Sequence, residues 1–146
     1  MNAIKKFDEF IKMRIVKKQI RDISRAEFLI KEAERKMLSL KERVEKLSIK
    51  NENANDYVEY CYDIIMHLVR AKLYLSGYCA SGQGAHEAEV SYLTVLGFDE
   101  KEVLFVDQMR YFRNGILYYG TSLDAEYAEK AIEFTNKIYP KLRSIF

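Results

Sequence analysis

A chain of 146 residues and 17.2 kDa is the size of one domain. Gly and Pro together supply only 7 of those residues, against a background of about 12%, so long uninterrupted elements are expected and a β-sandwich or disulfide scaffold is excluded. Hydrophobic residues at 49% and charged residues at 32% allow a packed core, and no apolar run approaches the roughly 18 residues of a membrane span.

The N-terminal stretch Met1 to Lys18 is charged throughout and has no apolar signal core. Cys61 and Cys79 suit a reducing compartment with free thiols. A cytoplasmic protein with no membrane partner is expected. The net charge of +2 hides an asymmetry: residues 1–50 carry 15 Lys+Arg against 8 Asp+Glu, and residues 51–146 carry 9 against 14. All 11 tyrosines lie in the second part. A basic end of this kind attracts phosphate or an acidic partner, or is a solvated helix face.

In chain order, the basic segment 1–21 is a helix or an arm, with its own stripe Ile4, Phe7, Ile11 and Ile15. Ser24 with Glu27 reads as a capping box. From Ala26 an apolar stripe runs through Ile30, Ala33, Met37, Leu40, Val44 and Leu47 in alternating steps of four and three, which places it on one face of a long helix. A helix from Asp22 to Ser48 would be roughly 40 Å long, longer than a small bundle needs. Ile4, Phe7 and Phe10 are therefore expected to seek a second copy, and a homodimer is predicted. The polar stretch Lys50 to Asn53 ends that helix.

Asp56 with Glu59 is a weaker cap signal, and Tyr57, Cys61, Ile64, Leu68, Ala71, Leu75 and Tyr78 form the second stripe. It stops near Gly77, where the Gly-rich stretch Gly77 to Gly84 reads as a loop. A short helix from about Ala85 to Leu96 ends at Gly97. Asp99 with Glu102 opens the next one, whose stripe is Phe105, Met109, Phe112, Ile116 and Tyr119 before Gly120. The last helix starts near Ser122 and carries Ala128, Ala131, Thr135, Ile138, Leu142 and Ile145, with a kink or loosened turn expected at Pro140. No strand is predicted, and two or more paired strands would end the scheme. The fold class is all-α: an antiparallel four-to-five-helix bundle over 22–146, its third long element broken near Gly97 to Asp99.

No metal and no cofactor is expected. His67 and His86 fall in different elements, no Glu-x-x-His pair exists, and the cysteines form no Cys-x-x-Cys. Gly82-Gln83-Gly84 lacks the Gly-Lys-Ser/Thr of a phosphate loop and joins two helices. The densest chemistry lies in Asp107 to Gly120, where Arg110, Arg113 and Asn114 sit among Tyr111, Phe112, Tyr118 and Tyr119. Arg110 and Arg113 are three apart and share a helix face. Guanidinium and amide groups bind phosphate or a base edge and tyrosines stack on bases. The same groups also build a structural knot that fixes helix register.

Arg113-Asn114 followed by Tyr118-Tyr119-Gly120 resembles the signature of the HEPN superfamily of helical bundles. Glu32-Ala33-Glu34 in the long helix, Leu75-Ser76-Gly77-Tyr78, then Gly84-Ala85-His86-Glu87 and a terminal amphipathic helix follow the same order over about 22–145. The resemblance implies a module whose Arg and His act at a cleft between two copies. Many such domains are metal-independent ribonucleases, including toxins neutralised by a nucleotidyltransferase antitoxin, in which the RNA 2′-hydroxyl attacks its own phosphate. Arg113 and Asn114 take the family positions, but the His is replaced by Tyr118 or Tyr119. A tyrosine near pKa 10 donates a proton at neutral pH and is a poor base. The implied function is an RNA-, nucleotide- or protein-binding homodimer with weak or lost nuclease activity. The alternative is an active endoribonuclease or toxin, with His86 as a substitute proton carrier. The site residues so implied are Arg113, Asn114, Tyr118 and His86 for catalysis and Arg110 and Tyr119 for binding.

Overall fold

A computed structural model of the chain describes residues 3–146. The elements in order are α1 (Phe7–Lys12), β1 (Val16–Lys18), α2 (Ile23–Leu47), a short 3-10 turn (Asn51–Asn53), α3 (Ala54–Leu75), β2 (Tyr78–Ala80), α4 (Ala85–Val95), α5 (Glu100–Tyr119) and α6 (Ala125–Ser144). The fold is mostly helical, with one tiny sheet.

Helix α3 is the axis. It buries residues on every side, among them Tyr57, Val58, Cys61, Tyr62, Ile64, Ile65, Met66, Leu68 and Val69, and a helix apolar all round belongs in the centre. Helices α2, α4, α5 and α6 pack around it. Helix α2 buries one stripe only, Ala26, Leu29, Ala33, Met37 and Leu40. Helix α6 approaches with the small residues Ala128 and Ala131, and the Thr135 hydroxyl donates to the Ala131 carbonyl at 2.8 Å instead of being buried unpaired.

The start of the chain departs from expectation. It is neither one helix nor a free arm: α1 lasts 6 residues, Arg14 turns the backbone at φ 61°, and β1 pairs antiparallel with β2 in the register Val16↔Ala80, Lys17↔Cys79, Lys18↔Tyr78. The sequence showed no strand because each has three residues and only Val16 of β1 is buried, too few to display a period of two. Two paired strands overturn the strand-free bundle expected from the sequence; what remains is a mostly helical chain with this one small pair. Phe7 and Phe10 are buried in their own chain, with Phe7 packed on Tyr92 and Tyr78 at 4.7 and 5.4 Å between ring centroids. They need no second copy, so the ground for expecting one from these residues is gone.

Helix boundaries also shift. Asp22, not Ser24, caps α2, its carboxylate accepting from the Arg25 amide at 3.1 Å. Helix α3 starts at Ala54, ahead of the Asp56–Glu59 signal, because the 3-10 turn feeds straight into it. Helix α6 starts after Asp124, which accepts from the Tyr127 amide at 2.9 Å, and runs through Pro140 to Ser144. Its last turn is loose, closing with bonds of 3.4 and 3.3 Å from Ile145 and Phe146. The break between α4 and α5 falls where predicted. Gly97 takes φ 94°, Phe98 folds back into the core, and Asp99 and Glu102 exchange both bonds of a capping box.

Candidate functional site

The end of α5 is held in place from outside the helix. Gly120 ends it in the left-handed conformation at φ 68°, and the chain returns so closely that a Cβ on Gly115 would lie 2.5 Å from the Thr121 hydroxyl oxygen. Only glycine fits there. The side-chain amide of Asn55 on α3 donates to the Thr121 carbonyl at 3.1 Å and accepts from the Leu123 amide at 2.8 Å. This clamp fixes a groove of ≈ 620 Å³ lined by Tyr111, Phe112, Asn114, Tyr118, Tyr119 and Thr121. Tyr111, Tyr118 and Tyr119 are 64%, 73% and 84% exposed, so their ring faces are open to a ligand.

Arg113 points the other way, toward α3. Its guanidinium lies 5.4 Å from the centroid of the Tyr62 ring, with one nitrogen 3.7 Å from an Asp63 carboxylate oxygen. Its Nε is buried and has no hydrogen-bond partner; the same holds for the Tyr62 hydroxyl. Burial raises the Tyr62 hydroxyl well above the ordinary tyrosine range, with Glu89 adding to it and Arg113, Arg110 and Arg70 opposing. Three arginines thus act on one buried phenol, and Arg113 is the one seated against its ring. Two are committed: Arg110 Nε donates to Asp107 at 2.7 Å, and Arg70 grips Glu89 with two bonds of 2.6 and 3.0 Å. Both carboxylates are buried. Arg113 has only its longer approach to Asp63.

His86 belongs to the Glu89 cluster. Its Nδ1 is 3.0 Å from Glu89 Oε1, and its side chain is 56% exposed while that of Glu89 is 5%. Burial pushes the Glu89 carboxyl up, but the bonds from His86 and Arg70 outweigh it and hold the group below the usual carboxylate range. A carboxylate only accepts, so Nδ1 is the nitrogen that donates to Glu89. Among the described residues, no hydrogen bond or ion pair joins His86 to Arg113, Asn114, Tyr118 or Tyr119. Asn114, Tyr118 and Tyr119 share the groove, while Arg113 faces α3 and Arg110 is tied to Asp107 on its own helix.

The α3 side of this region is not among the residues that motif and spacing pointed to. Glu59, Tyr62, Asp63, His67 and Arg70 form a polar stripe at helical spacing on an otherwise apolar helix, and that stripe is the signal by which it could have been found. Asp63 also receives Lys36 of α2 at 3.4 Å. His67 is held below the ordinary histidine range by burial, and its Nδ1 is buried without a partner. Glu59 is raised by burial against the pull of Arg113.

Among the described residues no three His, Cys, Asp or Glu side chains gather to hold a metal, and no helix is long and apolar enough to cross a membrane. Cys61 and Cys79 are free. No family model, curated protein or solved structure matches this chain.

Proposed function

We propose that this chain is a cytoplasmic HEPN-type antiparallel bundle that works as a homodimer and binds single-stranded RNA at the end of α5, with weak or lost cleavage of its own. One observation carries the reading: of the three arginines around Tyr62, Arg113 alone is not tied to a buried carboxylate, beside a groove whose tyrosines are open. A phosphate at the end of α5 competes with Tyr62 and Asp63 for the Arg113 guanidinium, which swings out from α3 to form a charge-assisted bond, and Tyr118 and Tyr119 stack on bases. With tyrosine where the family has histidine, the groove lacks a base that titrates near neutral pH. Fluorescence anisotropy with a labelled oligouridylate tests this. Arg113→Ala is expected to weaken binding by about tenfold or more, the worth of one charge-assisted bond. Equal affinity in wild type and variant overturns the reading, and a monomer in sedimentation at micromolar concentration removes the dimer. Tight binding of mononucleotides or of a protein partner, with no RNA affinity, moves the ligand to that class.

A second reading is favoured by the Glu89–His86 pair, an imidazole oriented by a buried carboxylate. It is an active metal-independent endoribonuclease, or a toxin paired with a nucleotidyltransferase antitoxin, with His86 as the proton carrier. RNA cleavage in EDTA that is lost in His86→Ala and returns with added imidazole supports it, since imidazole replaces a proton carrier and not a packed side chain. Cleavage unchanged in His86→Ala, or absent from wild type, removes it.

A further inference from the structure

We propose that Asp63 and Lys36 are positioning residues for RNA binding: Asp63 holds Arg113 back on α3, and Lys36 keeps the Asp63 carboxylate paired when Arg113 leaves. This rests on the reading above that Arg113 meets phosphate.

Helices α2, α3 and α5 meet at the Asp63 carboxylate. Its Oδ2 lies 3.4 Å from Lys36 Nζ of α2, and its Oδ1 lies 3.7 Å from Arg113 Nη2 of α5. The two contacts differ in kind. Lys36 donates a hydrogen bond, whereas the Arg113 separation is too long for one. Among the described residues the buried Arg113 Nε has no partner either. One carboxylate thus serves two cations and holds the arginine by charge alone. The neighbouring arginine pairs are tight by comparison: Arg110 reaches Asp107 at 2.7 Å, and Arg70 reaches Glu89 at 2.6 and 3.0 Å. Those carboxylate side chains are 8% and 5% exposed, while Asp63 and Arg113 are each 27% exposed.

The difference decides which arginine can be released. Arg110 or Arg70 would strand a buried carboxylate on leaving, which is strongly destabilising. Arg113 strands none, because Lys36 stays on Asp63. Lys36 is itself seated, with Nζ 5.2 Å from the centroid of the Tyr60 ring. What Arg113 gives up is the attraction across 3.7 Å and its place 5.4 Å from the centroid of the Tyr62 ring. Asp63 therefore sets how tightly a phosphate must compete, and Lys36 weakens its hold by sharing the carboxylate.

The test measures anisotropy of a labelled oligouridylate with the full chain. The proteins are wild type, Asp63→Asn, Lys36→Gln, those two changes together, Arg113→Ala, and Arg113→Ala with Asp63→Asn. Circular dichroism checks that each is folded, and Asp63→Ser replaces the Asn variant if that one is not. Asp63→Asn is expected to bind about fivefold more tightly, the upper worth of a partly exposed ion pair. Lys36→Gln is expected to bind more weakly by about the same factor, since Asp63 then turns wholly to Arg113. Two couplings separate this mechanism from a change in local charge. The Asp63→Asn gain should vanish in Arg113→Ala, and the Lys36→Gln loss should vanish in Asp63→Asn. A charge acting directly on RNA would have the same effect in either background. Asp63→Asn no tighter than wild type, a gain that survives in Arg113→Ala, or a Lys36→Gln loss that persists without Asp63 overturns the proposal. If Arg113→Ala is weakened while Asp63→Asn binds as wild type does, the proposal falls and the α5 reading stands. If Arg113→Ala binds as wild type does, both fall.

Discussion

His67 illustrates what one side chain contributes to behaviour in solution. Burial holds it below the ordinary histidine range; Asp63 and Glu32 pull its pKa up, and Lys36 and Arg70 push it down. The folded pKa is therefore lower than the unfolded one, and the unfolded chain binds more protons just below the ordinary value. Stability from this group is present above about pH 6.5 and is lost as pH falls through that range. Urea midpoints measured from about pH 7 down to about pH 5 should decline in wild type and decline less in His67→Gln. An identical decline in both assigns the pH dependence elsewhere. The paired carboxylates Glu32 and Glu89 are lowered, so their loss falls in a separate, more acidic window.

At the scale of the element, the end of α2 stores strain that the sequence does not announce. Ser48 has φ 61° and ψ 178°, a region populated almost only by glycine and costing about 1–3 kcal/mol for other residues. Its carbonyl is held there by the Tyr57 hydroxyl at 3.0 Å and the Asn53 side-chain amide at 3.1 Å, so the turn into α3 overrides the local preference. Ser48→Gly should stabilise the protein by about 1 kcal/mol, read as a higher midpoint in thermal unfolding followed by circular dichroism. Ser48→Val should lower it. Gly115 is the opposite case: the residue matches its place, because Thr121 occupies the space a side chain would need.

At the scale of the whole molecule, one large core and a smaller cluster of Ala26, Leu29, Ala71 and Tyr74 hold the helices together, and Cys61 sits inside the large one. The thiol is fully buried, and burial pushes its pKa up to about 12, with Thr135 opposing. The thiolate is the reactive form, so Cys61 reacts only when the core opens. Cys79 on β2 is partly exposed. A thiol reagent such as dithionitrobenzoate should label one cysteine quickly and the second only at the rate of global opening, speeding up with denaturant. Two equally fast thiols would show that α3 and α6 separate without unfolding the rest.

Helices α2, α3, α5 and α6 were readable in the chain because each carries a stripe at helical spacing, α4 because it lies between the Gly-rich loop and Gly97, and the Asp99–Glu102 box and Gly97 marked the α4–α5 break through purely local chemistry. The same locality explains what was missed. The Val16–Lys18 strand exists only because Tyr78–Ala80 arrives beside it from far along the chain, and the true caps of α2 and α6 were chosen by where the neighbouring turns enter. At the candidate site, residue types were legible for Arg110, Arg113 and Asn114, but the expectation that Arg113 and Asn114 turn into one groove with Tyr118 or Tyr119 fails, since Asn114 lines it and Arg113 turns to α3. Which arginine is free was not legible either. That depends on Asp107, Glu89 and Asp63 reaching specific guanidinium groups at 2.6 to 3.7 Å, and the pairings made by Glu89 and Asp63 cross between helices. Periodicity determines which side of a helix turns inward; only packing decides which charges meet there, because an ion pair is settled within an ångström and the sequence specifies no distances between helices.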